Sequence, residues 1–487
     1  MNKLERIKAL YGKKKPATKR IQHVPRDVFK PTGKLTIKNI SATPYDFQLH
    51  GVEFINHHNG NCILGDDMGL GKTAQILMFL HHNPKIRPAL IICKSTLKLK
   101  WARETFMFME RSKGNTAYVL NGRVKKDIQE ISLTGEGKIQ ETIRKVLPDT
   151  GIFIINYDIL DSWVKELVKL FPIHITLDEA HNIKSVKTNR YKALKTIRKK
   201  TRNTKIIPTT GTLLENRPMD LYNAISMVNP NIFKNKLYFG KRYCGGKKNG
   251  FGWDFSGKSN TDELHHILSS IMIRRKKEDV LKELPSKTRI VIPLKIDMKQ
   301  YNKIECYESG PAKREKLLQE AARGKLDAAM DWIEEFLSSG EKLVVFAYHK
   351  EIVEKIYQEF KPWAIKVDGS TKARDKQNAE EEFQTNKKVC LLVGNIKSAG
   401  EGLTLTKAYA TATIELLDHT PSLHLQAEDR VLRIGQDADA VFAYYFMAIG
   451  TIDEENIAEL QKRSKIAAEV MDGKDVGDFT IKRGKTK

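Results

Sequence analysis

Short apolar runs punctuate this chain, and amphipathic segments fill the space between them. "NCILG", "ALIIC", "GIFIIN" and "HITLD" fall between residues 61 and 178. Runs this short and this continuous read as strands buried on both faces, since neither face has to meet water. "TAQILMFLHH" has the length and composition of a helix packed on such a sheet. The alternation predicts βαβ units and a parallel sheet. From Asn229 to Gly257 it gives way to a stretch rich in Gly, Lys and aromatics, an insertion or connector. "SSIMIRRKKEDVLKELPSK" follows, with four consecutive cations from Arg274 to Lys277. A second series then begins, with "REKLLQEAARGKLDAAMDWIEEFLSSG" and "EIVEKIYQEF" as helices and "KLVVFAYH", "VCLLVG" and "ATATIELLD" as strands. Two α/β lobes facing across a cleft are expected. The expected division is a basic arm over 1–40, a first lobe over 41–228, an insertion and bridge over 229–284, a second lobe over 285–470 and a basic tail over 471–487.

Charge narrows the choice of partner. Of 487 residues, 84 are Lys or Arg and 59 are Asp or Glu, a formal net charge of +25. Such a chain attracts polyanions, and nucleic acid is the first candidate, ahead of an acidic membrane surface. No apolar run approaches the roughly 18 residues of a membrane span, and the N-terminal "MNKLERIKALYGKKKPATKR" lacks a signal-peptide core. The five cysteines form no CxxC pair, which points away from zinc and disulfides and toward a reducing compartment. An intracellular, cytoplasmic monomer is expected, with the nucleus left open.

Candidate chemistry begins at "GDDMGLGKT", Gly65 to Thr73. An apolar strand precedes it and a helix follows. In that setting backbone N–H groups and the helix N-terminus face an anion. Gly69 and Gly71 would let phosphate approach, Lys72 would reach the β- and γ-phosphates, and Thr73 would hold Mg²⁺. The strict GxxxxGK[ST] spacing fails, because Asp66 stands where it needs Gly. Asp66 and Asp67 would serve to orient Lys72 or the metal shell, or to meet a cation on closure, or they would simply be solvated. "HITLDEAH" supplies the second half: Asp178 at a strand end for the metal shell and Glu179 to orient the attacking water. Gln48, in "PYDFQLHGVEF", is a candidate for the adenine edge. Arg430 and Arg433 lie three apart in "QAEDRVLRIGQ", on one face if the segment is helical, and could reach across the cleft to the γ-phosphate.

Together "DDMGLGKT", "LDEAH" and "QAEDRVLRIGQ" resemble the Swi/Snf-type ATPases of helicase superfamily two. "IICKSTLKLKW", "TGTLLENRPMDLYN", "IRRKKEDVLKELPSK" and "SAGEGLTLT" extend the resemblance from about residue 40 to about residue 470. "GEGLTLT", "PSLHLQAEDR" and "AIGTIDEENI" look closest to the annealing-helicase-like branch. The chain departs from the family in Asp-Asp before "MGLGKT", where Asp-Glu is usual, and in Leu213, where Pro is common. The resemblance implies RecA-like parallel-sheet lobes, ATP and Mg²⁺ in the cleft, and duplex or forked DNA gripped without sequence preference. It also implies that Gly402 and Gln426 line the nucleotide, Asp67 borders it, and Ser95, Thr96, Thr210, Ser398 and Thr404 contact the DNA backbone. The expected activity is a DNA-dependent ATPase and duplex translocase. A strand-separating DNA or RNA helicase and a non-catalytic nucleic-acid clamp are the alternatives.

Overall fold

The structure, a computed structural model, describes residues 29–483 except 110–115, 134–138, 202, 212–213, 215–216, 251, 308, 401, 418–420, 475–476, 478 and 481. Most of the basic N-terminal arm, the Leu213 departure and the last four residues therefore lie outside the described residues.

The first lobe is built on strands β1 (Ile63–Leu64), β2 (Ala89–Cys93), β3 (Ala117–Asn121), β4 (Asp127–Leu133), β5 (Ile139–Arg144), β6 (Ile152–Asn156), β7 (His174–Asp178) and β8 (Lys205–Thr209). After a small ribbon, β9 (Lys247–Asn249) with β10 (Gly252–Asp254), comes β11 (Met272–Ile273). Nine of these form one sheet, ordered β11-β1-β8-β7-β2-β6-β3-β4-β5. The strands foreseen from apolar runs pair in parallel. Alternate residues of β2 and β6 enter different cores: Leu90, Ile92, Phe153 and Ile155 on one face, Ala89, Ile91, Ile152 and Ile154 on the other. Burial on both faces is why these strands read as unbroken apolar runs. β4 and β5 are antiparallel additions at the edge. Their sequences, DIQEISL and IQETIR, contain no continuous apolar run.

The chain stays with the first lobe well past Asn229. Phe233, Phe239 and Tyr243 pack into its core, and β11 adds a parallel strand beside β1. The second lobe then forms an all-parallel sheet from β12 (Ser286–Leu294), β13 (Leu343–Ala347), β14 (Ala364–Val367), β15 (Leu391–Asn395), β16 (Ala410–Thr413), β17 (Ala440–Ala448) and β18 (Lys482–Arg483). Its order is β14-β15-β13-β16-β17-β12-β18.

The helix Ile452–Asp472 ties the lobes together. It starts in the second lobe, where Thr451 caps it and Asp453 pairs with fully buried Lys325. It ends in the first lobe, where Val470 and Met471 join the core and Asp472 binds Arg274 and Lys276. Among the described residues no helix is long and apolar enough to cross a membrane.

Candidate nucleotide site

β1 hands the chain to the glycine turn, which opens the helix Lys72–His82. Gly69 and Gly71 have φ of 87° and 71°, left-handed values that favour glycine. Gly71 has a second constraint: a Cβ there would lie 2.3 Å from Gln48 Nε2. Gln48 is buried, its Oε1 accepting from the Tyr45 amide at 3.1 Å and its Nε2 facing the Leu70 carbonyl at 3.5 Å. Its side-chain amide is thus fixed at the rim of the turn. Lys72 Nζ donates to the carbonyls of Asp66 at 2.7 Å and Asp67 at 3.0 Å. Burial lowers its pKa, and the carboxylates of Glu179, Asp66, Asp67 and Asp178 oppose that shift.

The carboxylates of Asp66 and Asp67 turn away from this turn, toward the bridge. Asp66 has no exposed surface. Arg275 holds it through its backbone amide at 3.1 Å, its Nε at 3.0 Å and its Nη2, and Gln75 Nε2 donates at 3.0 Å. Asp67 takes Arg274 at 3.4 Å and the Lys277 amide at 3.2 Å. Asp67 was expected to border the nucleotide; its carboxylate faces Arg274 and the Lys277 amide, and its carbonyl accepts from Lys72. The two acids and two of the four consecutive cations, Arg275 for Asp66 and Arg274 for Asp67, lie some 200 residues apart in sequence and form ion pairs.

Asp178 ends β7. Its carboxylate accepts from Trp101 Nε1 at 2.9 Å and Thr209 Oγ1 at 3.2 Å, and its carbonyl from Tyr157 at 2.7 Å. Burial raises its pKa, and the neighbouring Glu179 charge adds to the rise. Glu179 has the left-handed φ of 49°, a strained backbone of the kind that concentrates at functional sites. Thr210 Oγ1 donates to Glu179 Oε2 at 3.1 Å, and His181 Nδ1 lies 3.4 Å from it. Burial pushes the Glu179 pKa up, but His181, Lys72 and Lys94 outweigh it and hold the group ionised. Thr210 was expected on the DNA backbone. It is fully buried, and its hydroxyl serves Glu179 instead.

The second lobe supplies the opposite wall. The helix Pro421–Glu428 stops before Arg430, so the two arginines project from the turn that follows and not from one helical face. Arg430 Nε donates to the Gln426 carbonyl at 2.9 Å and Nη1 to the Leu403 carbonyl at 3.1 Å. Arg433 Nε donates to the Asp429 carbonyl at 2.9 Å and Nη1 to Thr404 Oγ1 at 3.2 Å. Burial lowers the Arg433 pKa, against the charges of Asp429, Glu380 and, from the first lobe, Glu104. Gly402 has φ of 85°, and a Cβ there would sit 3.5 Å from Leu97 of the first lobe.

One cavity of about 380 Å³ collects these groups. Gln48, Gly69, Gly71, Lys72, Thr73, Asp178 and Glu179 line it from the first lobe, and Gly402, Gln426, Arg430 and Arg433 from the second. Lys277 of the bridge links the halves: its amide meets Asp67, and its Nζ meets the Leu432 carbonyl and Asp429 Oδ2, each at 2.9 Å. Burial pulls its pKa down to about 8 despite Asp429. Trp101, Thr209 and Lys277 had no assigned role in the sequence reading. The Trp101 indole in "KLKW" carried no signal, since its partner lies 77 residues away.

The residues expected on DNA divide. Ser95 and Thr96 are exposed on the 3-10 turn after β2. Ser398 is half-buried in the short helix after β15. Thr404 is half-buried and engaged with Arg433.

Two largely parallel-sheet lobes that jointly wall one cavity, with a glycine turn at its edge, define a two-lobed α/β core. Residues 47–352 match the SNF2-related domain, and residues 324–435 match the helicase conserved C-terminal domain. The chain belongs to the SNF2-related family. It is 34% identical over 441 residues to the "SWI/SNF-related matrix-associated actin-dependent regulator of chromatin subfamily A-like protein 1" of Xenopus tropicalis, covering 86% of this chain and 44% of that one. It is 29% identical over 458 residues to the human "DNA annealing helicase and endonuclease ZRANB3", covering 88% of this chain and 40% of that one. This chain thus spans less than half the length of either relative. Among solved structures it is similar to the Sulfolobus solfataricus SWI2/SNF2 ATPase core in complex with dsDNA, at 23% identity and a TM-score of 0.43, covering 92% of this chain and 99% of that one.

Proposed function

We propose that the chain is a DNA-dependent ATPase that moves along duplex DNA, converts ATP to ADP and phosphate, and so remodels DNA structures or displaces bound proteins. The observation that carries this reading is the shared cavity, with Lys72 and Glu179 on one wall and Arg430 and Arg433 on the other. The turn at Gly69–Thr73 acts as the phosphate loop and Asp178–His181 as the DEAH box. Gln48 reads the adenine edge. Glu179, held ionised, orients the attacking water. The two arginines stabilise charge on the γ-phosphoryl group, an effect worth roughly 10³–10⁵ in rate.

Among the described residues no cluster of three or more His, Cys, Asp or Glu could hold a metal by itself. That suits Mg²⁺ carried mainly by a triphosphate and water, with Thr73 and Asp178 completing its shell. When bound, it neutralises charge between the β- and γ-phosphates.

Closure and release follow from the arginines. ATP gives them an anion to share with the first lobe, and phosphate release removes it. If both lobes hold one DNA backbone, through Ser95 and Thr96 on one side and Ser398 on the other, each cycle shifts the grip. Backbone contact and the net charge of +25 support binding without sequence preference. We place the protein inside the cell, where its DNA and ATP are, acting as a monomer. The decisive experiment measures phosphate release with no nucleic acid and with blunt duplex, forked DNA, single strands and duplex RNA. Stimulation by duplex DNA, lost in Glu179→Gln with ATP still bound, is expected. Hydrolysis indifferent to DNA, or undiminished in that variant, overturns the reading.

A further inference from the structure

The segment Asn229–Gly257, which the sheet pattern leaves without a role, ends in the ribbon β9–β10. There Trp253 pairs with Lys248 and Asp254 with Lys247. Phe255 fastens the ribbon to its lobe: a Cβ on Gly240 or Gly246 would come within 2.6 Å or 2.9 Å of its ring. Trp253 lies parallel to Phe255, ring centres 6.1 Å apart and planes at 6°, yet it is 39% exposed. Lys241 Nζ sits 4.1 Å from its ring centre, and Lys247 and Lys248 are exposed beside it. A large ring presented to water by an anchored ribbon, among cations, is the composition of a base-stacking platform.

Beside the ribbon, between the first lobe and the connecting helix, lies a groove of about 670 Å³. Lys184, Lys187, Arg217 and Lys236 line it from the first lobe, Lys462 and Arg463 from the helix Ile452–Asp472, and Ser256 of the ribbon segment reaches it. Its acids, Asp220 and Glu459, are outnumbered three to one. One wall is the loop that follows Asp178–His181, so the groove and the hydrolytic carboxylates share a segment.

We propose that the ribbon and this groove bind an unpaired DNA strand, with phosphates in the groove and a base stacked on Trp253 in the place where the Lys241 ammonium now lies over the ring. The ring selects single strand over duplex, because paired and stacked bases do not offer a face. The inference rests on the DNA-motor reading and deepens it by naming the nucleic-acid element that a second contact area takes. Since one wall is the helix that ties the two lobes, lobe closure would change the grip on that strand.

The test uses the full chain, a labelled short oligothymidine and fluorescence anisotropy without nucleotide, at two salt concentrations. Trp253→Ala should weaken binding by roughly tenfold, while Trp253→Phe keeps most of it. Lys462→Glu should weaken binding and lower the salt slope by about one. In both, blunt-duplex-stimulated phosphate release should stay near wild type, while stimulation by a duplex with a single-stranded arm falls. Unchanged oligothymidine affinity in Trp253→Ala, no binding by the wild type, or equal losses with blunt duplex and single strand would each overturn the proposal. Oligothymidine binding that responds as expected, in a protein that hydrolyses no ATP with any DNA, would sink the motor reading and leave the strand site standing.

Discussion

The two walls of the cavity are held together by different means. On the first lobe, Asp66 is locked by a guanidinium, a backbone amide and a glutamine amide, and Asp67 by Arg274 and the Lys277 amide. On the second, Arg430 and Arg433 are steadied by the carbonyls of Gln426, Leu403 and Asp429 and by the Thr404 hydroxyl. The first arrangement neutralises charge where it is buried. The second hydrogen-bonds its cations to neutral acceptors, while the carboxylates of Asp429, Glu380 and Glu104 act on Arg433 from farther off. One wall therefore works as a fixed frame of direct ion pairs for the turn, and the other orients its guanidinium groups mainly through carbonyls and a hydroxyl.

Removing the held charge should have the largest effect. Arg433→Ala is expected to cut DNA-stimulated turnover by roughly 10³ or more, with DNA affinity measured without nucleotide near the wild-type value. Steady-state phosphate release and filter binding check this. A variant that turns over normally would make the second wall structural and erase the contrast.

Breaking the frame should register as stability. Arg275→Ala leaves Asp66 buried without its guanidinium, and losing one partner of a buried pair costs about 3–5 kcal/mol. Urea unfolding should show that loss, and the double variant Asp66→Asn/Arg275→Gln should recover part of it. Arg433→Ala should cost less stability than Arg275→Ala. The reverse order would mean that the second wall, too, is a structural clamp.

Lys277 sits between the two designs, and its test sharpens the boundary. Its amide belongs to the frame, and its ammonium reaches Asp429 beside the arginines. Lys277→Met should lower kcat by about tenfold, the size of one lost positioning contact, with the KM for ATP little changed. Asp429→Asn should do the same, and the double variant should be no worse than either single one, as coupled groups behave. Additive losses would mean that the two side chains act separately.

The chain's order of legibility follows from distance in sequence. That the glycine turn and Asp178-Glu179 would line one cavity was legible because each sits directly at the end of an apolar strand. The buried strands were readable because each loses both faces to the core. The partners of Asp66 and Asp67 were not, although "RRKK" and "DD" each stand out in the sequence. Which cation meets which acid depends on β11 lying beside β1, and sheet order is not a local property. Thr210 was expected on the DNA backbone by resemblance, but β8 pairs with β7 and places its hydroxyl on Glu179. The arginine spacing suggested a helix face, but the helix ends at Glu428, and each arginine instead turns its Nε onto the carbonyl four residues back, Gln426 and Asp429.

The smallest effect concerns a second-lobe charge that, unlike Arg275, titrates. His349 follows β13, and its Nδ1 meets the carboxylate of buried Glu415, which also accepts from the amides of Tyr348 at 2.6 Å and His349 at 2.8 Å. Its Nε2 lies 3.2 Å from Glu315. Burial lowers the His349 pKa, but the hydrogen bond and charge of Glu415, joined by Glu315, outweigh it and raise the value above 6.5. A folded-state pKa above the unfolded one favours the folded protein when the imidazole is protonated. That stabilisation is complete below the unfolded value of about 6.5 and fades as pH rises through the folded value. His349→Gln should therefore cost about 1.5–3 kcal/mol at pH 6, the order of a hydrogen bond to a charged group, and less at pH 9. Arg275→Ala should cost the same at both, since a guanidinium stays charged throughout. Thermal unfolding of the two variants at the two pH values decides it, and a pH-independent loss in His349→Gln would return this contact to the same class as the first lobe's frame.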